Sequence, residues 1–222
     1  MIRSWGSLGP VASSDRHPVF RAATSARAAG PFVRTETAVN DTLRYLLRHN
    51  VWASRTLLDL CRTLSAEQLS APAVASYGSI IETFRHIVMS DAGYLRSLGG
   101  AQTSWLADYQ RELDEVPEPW HEGPMEDGDL DELARRIDET ERLWDAYFAD
   151  AEFDAKRVSV LDSGTYECPA GIVMAQVFHH GSVHREQICA TLTALGVEPP
   201  DIQPWAFADG TGISRFLGGR TS

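Results

Sequence analysis

The sequence predicts an all-α protein, a four-helix bundle with a long connection between its second and third helices. Four segments of roughly 20 or more residues carry apolar side chains at helical spacing, without strong strand signals between them. The 222 residues are 43% apolar and 23% charged, which is an ordinary composition for a globular domain. We therefore expect a single helical domain over residues 35–222.

Residues 1–34 differ from the rest of the chain. They contain five arginines and one acidic residue, are rich in Ala, Ser and Gly, and lack sustained periodicity. We interpret them as a disordered extension or as spurious sequence from a wrongly chosen start codon, in preference to a transit-like arm. They are excluded from the predicted fold.

The first two helices have recognisable limits. The first is predicted over residues 37–64, with an apolar stripe that also contains the polar residues Asn50 and Ser54. The second begins at Ser79, because Ser79 and Glu82 have the spacing of a capping box, and it ends before a Gly-Gly pair at 99–100.

The last two helices follow the long connection over residues 99–128. The third is predicted over residues 129–149, and the fourth opens near Pro169, at its first helical position, and stops at Gly196. Val158–Leu161 is expected to form only a short extended piece. Trp205 and Phe207, in the C-terminal stretch, are expected to pack over one end of the bundle.

The charge excludes some classes of partner. The net charge of −11 argues against nucleic acid and anionic membrane surfaces, and no apolar run reaches the ~18–20 residues of a membrane span. Residues 101–132 contain eleven acidic residues and one basic residue, which we interpret as a solvated segment. The three cysteines form no CxxC pair, which favours reduced thiols and a cytoplasmic location.

Three histidines form a candidate metal site. His180 and His184 lie one turn apart on the inward stripe of the fourth helix, and His86 lies on the second helix. Buried imidazoles on adjacent turns compete for partners unless a metal ion takes a nitrogen from each. Three protein ligands also suffice for an open metal site.

The surroundings of His86 leave two alternatives open. Its helix face carries the small residues Thr83, Ser90, Gly93 and Ser97, which form either a hollow for metal and ligand or a close helix–helix contact. We expect Glu82 to be a capping residue. A role as a fourth ligand, or as a partner that orients a ligand, is the alternative. On the helix, His179 points about 100° away from His180, and it is assigned no ligand role.

Several blocks resemble the DinB-like (YfiT-like) superfamily of four-helix bundle metalloproteins. They are HNVWASRTLLDL in the first helix, SYGSIIETFRHIVMSDAGYL in the second, HHGSVHREQI in the fourth and the Pro-Pro-Asp at 199–201. The resemblance implies that His86, His180 and His184 bind a divalent metal. One position departs from the family pattern, because Glu186 stands where glycine is usual. We expect it to alter local packing or to form a salt bridge with Arg185 or a neighbouring residue.

The resemblance further implies a metal-dependent thiol transferase of stress or detoxification type, consistent with the damage-inducible family name. Its partners would be a low-molecular-weight thiol, such as mycothiol or bacillithiol, and an electrophilic substrate. The metal would be zinc, with nickel or iron as alternatives. A non-catalytic metal-binding protein and a metal-dependent hydrolase are the competing interpretations, and a homodimer is compatible with the family.

Overall fold

The four long helices of the predicted bundle are present. The computed structural model describes residues 37–72, 78–106, 129–150, 153–161 and 166–215. Within them lie helices α1 Thr37–Cys61, α2 Ala66–Leu69, α3 Ile80–Ser97, α4 Asp129–Asp150, α5 Ala170–Ala194 and α6 Pro204–Gly210, and strands β1 Val158–Leu161 and β2 Tyr166–Pro169. The predicted fold class is therefore confirmed.

The long helices pack in a ring around one another. Helix α1 packs against α4 and α5, and α3 packs against the same two helices. Helix α5 thus faces α3 on one side and α1 on the other. The predictions for residues 1–34, and for most of the connection between α3 and α4, concern residues outside the described ranges.

Helix α3 begins where the capping box was predicted. The Ser79 side chain accepts from the backbone N–H of Glu82, and the Glu82 carboxylate accepts from the backbone N–H of Ser79. Two of the amide donors that a helix leaves unpaired at its start are thereby satisfied. The capping role of Glu82 is confirmed, and it fixes the start of a helix that carries a candidate ligand.

Helix α1 ends at Cys61, three residues before the predicted limit. The chain then turns, and Ser65 and Gln68 form a second capping box that starts the unpredicted single-turn helix α2. The turn places Leu69 in the core. A helix of four residues has too few positions to show a period, so the pattern missed it.

The extended piece at Val158–Leu161 is one half of an antiparallel pair with Tyr166–Pro169. Ser159 pairs with Cys168, and both side chains are buried. Pro169 closes β2 and is the N-cap of α5, so the helix begins at Ala170, one position after the predicted start. Because α5 continues directly from β2, the hairpin fixes the start of the second ligand-bearing helix.

The C-terminal segment covers one part of the bundle through a single aromatic residue. Phe207, on α6, is buried and contacts the rings of His49 and Trp52. Trp205 is 80% exposed, so its expected packing is wrong. Positions two apart on a helix point in directions about 200° apart, so only one of Trp205 and Phe207 can face the bundle.

None of the helices in the described ranges combines the length and apolar character that a membrane crossing would require. The three cysteines, Cys61, Cys168 and Cys189, are free.

Candidate metal centre

Helices α3 and α5 bring the three predicted histidines together. One ring nitrogen from each of His86, His180 and His184 lies within 4.8 Å of the others. The centroids of the three rings are 4.4 to 4.8 Å apart. The Nε2 atoms of His86 and His180 approach to 2.9 Å. Residues 94 positions apart in the chain thus share one small volume.

The shortest of these separations is near that of two ligands of one divalent ion. Zinc binds imidazole nitrogen at about 2.0–2.1 Å, and two such ligands at a tetrahedral angle are about 3.3 Å apart. The 2.9 Å between His86 and His180 has to widen by a few tenths of an ångström to meet this separation. Small rotations of side chains that are only partly buried are sufficient for that.

Electrostatics keep two of the imidazoles neutral. Burial, followed by the charge of His184, lowers the pKa of His86 to about 4. Burial, followed by His184 and His86, lowers the pKa of His180 to about 3. Neutral imidazoles keep the nitrogen lone pair that a metal ion needs, so both residues are ready to bind at neutral pH.

Hydrogen bonding orients the third imidazole. Nδ1 of His184 lies 2.7 Å from Oε1 of Gln187, an oxygen that can only accept. The neutral ring must therefore carry its proton on Nδ1, which leaves Nε2 with the lone pair. Nδ1 of His180 is buried and has no hydrogen-bond partner within the described residues. This buried nitrogen is a cost to folding that the described residues do not offset.

Open space, here called the hollow, lies at Gly93 on the face of α3 that carries His86. A side-chain carbon built at Gly93 would have no atom within 4 Å, so this position is not a close helix–helix contact. The neighbouring Tyr94 has its ring edge-on to His180, with centroids 5.7 Å apart. Its hydroxyl accepts a 3.4 Å hydrogen bond from Nε2 of Gln176. Burial raises the pKa of Tyr94, so the hydroxyl keeps its proton and can donate it in a hydrogen bond.

Two further histidines, His179 and His49, lie within the described residues and outside the cluster. His179 is exposed on the outer side of α5. His49 approaches the backbone oxygen of Ile202 at 2.8 Å, and burial lowers its pKa. His121 lies outside the described residues. Of the five described histidines, only His86, His180 and His184 bring ring nitrogens within 4.8 Å of one another.

Sequence reasoning missed the polar residues behind the cluster. Arg185 is only 2% exposed, although it follows His184 directly. Its guanidinium donates to the backbone oxygen of Asn50 and to Oγ of Ser54, at 3.3 and 3.2 Å. Glu186 is exposed and forms no ion pair with Arg185 within the described residues, although its charge acts to raise the pKa of Arg185. The signal available in the sequence was the presence of Asn50 and Ser54 on an apolar stripe.

The fold and the cluster together define a helical bundle with a candidate three-histidine metal centre. The chain belongs to the DinB family, whose sequence profile matches residues 39–215. The family resemblance is thereby confirmed. No curated protein matches the chain.

Proposed function

We propose that this protein binds one divalent metal ion through His86, His180 and His184 and uses it in the S-transfer of a low-molecular-weight thiol. Mycothiol or bacillithiol would be the thiol, and a small electrophile the acceptor. The observation that carries the proposal is the convergence of three imidazole nitrogens within 4.8 Å, with open space at Gly93 on the helix that carries His86.

Three histidines leave at least one coordination position for an incoming ligand. A divalent ion in this site supplies a Lewis acid that favours the thiolate over the thiol of a bound ligand. The donor set supports this role, because three neutral imidazoles add no negative charge that would weaken it. His184 is held for binding by Gln187, which fixes the nitrogen it presents.

The residues around the hollow have separate tasks. The open space at Gly93 admits a substrate beside the imidazoles. Tyr94, held by Gln176, presents a protonated hydroxyl at the edge of the His180 ring, where it can donate a hydrogen bond to a bound substrate. These residues are suited to positioning a substrate. A separate general base is not assigned.

The metal site is tested first by elemental mass spectrometry of the purified protein. We expect about one divalent ion per chain in the wild type, and its loss in His86→Ala, His180→Ala and His184→Ala. His179→Ala is the matched control, because it removes an exposed histidine from the same helix and should retain the ion. Wild-type protein that stays metal-free after incubation with zinc, nickel and iron would refute the proposal.

The reaction is tested separately, once the metal is established. Mycothiol and bacillithiol are each incubated with a panel of electrophiles, and thiol consumption is measured with the loaded and the chelator-treated protein. Metal-dependent consumption of thiol supports S-transfer. Substrate turnover without added thiol would instead indicate a hydrolase, and metal binding without any turnover would indicate a binding protein.

A further inference from the structure

A buried polar layer crosses the bundle directly behind the metal centre. The guanidinium of Arg185, on α5, donates to the backbone oxygen of Asn50 and to Oγ of Ser54, both on α1. The Asn50 amide in turn donates to Oδ2 of Asp91, on α3, at 3.0 Å. The layer thus joins α5 and α3, the two helices that supply the histidines, through a third helix that supplies none.

Side chains of this layer occupy the space next to Gly181, on α5. A side-chain carbon at Gly181 would lie 2.5 Å from Oδ1 of Asn50 and 2.9 Å from Nη1 of Arg185. Gly181 falls between His180 and His184 in the sequence, and it is buried. The absence of a side chain here therefore lets α1 contact α5 within the turn that carries both histidines.

Burial of this polar layer in an apolar core costs free energy of folding. Burial lowers the pKa of Arg185, and the negative charge of Asp91 opposes this effect. A buried charge is tolerated only when its hydrogen-bonding partners are in place. Oδ1 of Asn50 and Oδ1 of Asp91 are themselves buried, and no described residue forms a hydrogen bond with either atom. Beside them lies a cavity with about 20 Å³ accessible to the centre of a water molecule, lined by Asn50 and Asp91 among others.

Such a layer restricts how the helices can slide. When one helix shifts against another, a buried guanidinium loses its hydrogen-bonding partners, and this cost adds to that of repacking the apolar side chains. A slip of one turn moves a helix by about 5.4 Å, far more than the few tenths of an ångström that metal coordination accepts. One register of α5 against α3 satisfies both requirements.

We propose that Asn50, Asp91 and Arg185 form a register clamp that positions the two ligand-bearing helices for metal binding. The clamp acts through the backbone and does not touch the ion, so all three are positioning residues. The inference rests on the metal site proposed above and assigns a specific task to the polar residues behind it.

The test separates positioning from stability. In the triple variant Asn50→Leu, Asp91→Leu and Arg185→Met, apolar side chains replace the clamp, and the adjacent cavity accommodates part of the added volume. Replacing a buried ionic network by apolar residues is often neutral or stabilising. We expect the melting temperature of the metal-free protein to hold or rise, while zinc affinity, measured by competition with a chromophoric chelator, falls about 10- to 100-fold.

A control variant addresses ordinary destabilisation. Leu133→Ala truncates a buried side chain on α4, a helix that carries no ligand and no clamp residue. It should lower the melting temperature and leave zinc affinity within about twofold of wild type, because it leaves the clamp intact. Zinc affinity that follows melting temperature across these variants would overturn the proposal.

A second variant decides the question if the triple variant does not fold. Gly181→Ala forces a carbon against Asn50 and Arg185, and it should weaken zinc binding, whereas Ser182→Ala, at the exposed neighbouring position, should not. Wild-type zinc affinity in folded Gly181→Ala would overturn the clamp. If wild type binds zinc and the variants bind it equally well, the clamp alone is refuted. If wild type binds no metal, the proposed metal site is refuted as well.

Discussion

The hydrogen bond between His184 and Gln187 allows a quantitative test of the metal centre. Replacing Gln187 by leucine keeps the approximate size of the side chain and removes the oxygen that accepts from Nδ1. In its absence, the imidazole is free to rotate and to place its proton on either nitrogen. Only one of these tautomers presents a lone pair at Nε2, and only some of its orientations direct that lone pair towards the other two histidines.

The expected size of the effect follows from the contact. At 2.7 Å the bond is at the short end of the normal range, and Gln187 is partly buried, so water replaces its oxygen only in part. Loss of such an orienting partner weakens metal binding about 10- to 100-fold, equivalent to about 1.4–2.7 kcal/mol. The metal-free fold loses one hydrogen bond, which costs about 1 kcal/mol.

The assay is competition for zinc with a chromophoric chelator, together with urea denaturation of the metal-free protein. Gln176→Leu is the control, because it makes the same change on the same helix in a side chain that bonds Tyr94 and not a candidate ligand. Gln187→Glu should bind zinc at least as tightly as wild type, since a carboxylate is a stronger acceptor. A Gln187→Leu variant that binds zinc within twofold of wild type would show that the contact does not orient His184.

Three further predictions concern the stability of the metal-free protein, measured by urea denaturation. Gly93→Ala should stabilise the fold by up to about 1 kcal/mol, because the added carbon meets open space and helix propensity rises; destabilisation would mean that the hollow is filled. Ser79→Ala should cost about 1 kcal/mol through loss of the cap, and an unchanged midpoint would remove the capping box as the start signal of α3. Burial raises the pKa of Asp91 to about 7 from 3.8, and a carboxyl whose folded pKa exceeds its unfolded pKa stabilises the fold less as pH rises between those values. From about pH 5 to 7.5, wild type should therefore lose up to about 3 kcal/mol relative to Asp91→Asn, and parallel pH profiles would contradict the shift.

Sequence reasoning was sufficient for the bundle and the histidines because both depend on helical periodicity. Positions four apart on a long helix must lie on one face, so His180 and His184 could be paired before any coordinates were known. Periodicity does not show which helix packs against α5. The expected convergence of this pair with His86 therefore rested also on the family resemblance. The cap at Ser79 was likewise readable, since it depends on two residues three positions apart.

The missed features depend on contacts between distant segments. Four-residue strands carry almost no period, so the pairing of Val158–Leu161 with Tyr166–Pro169 was not predictable from the pattern. Arg185 was missed for a different reason. A single inward stripe was assumed for α5, whereas the helix packs against both α3 and α1 and has a wider buried surface. Arg185 is buried on this second face, which contacts α1.

The two buried faces of α5 explain why the metal centre and the polar layer occur together. The face towards α3 carries His180 and His184, and the face towards α1 carries Gly181 and Arg185, within the same two helical turns. Each face alone would be a cost to folding, because imidazoles and a guanidinium are poor core residues. A metal ion would stabilise the first face by binding the folded state, and the hydrogen bonds of α1 satisfy the second. Apolar residues at these core positions would cost less stability than polar ones. Polar residues found there therefore point to a function.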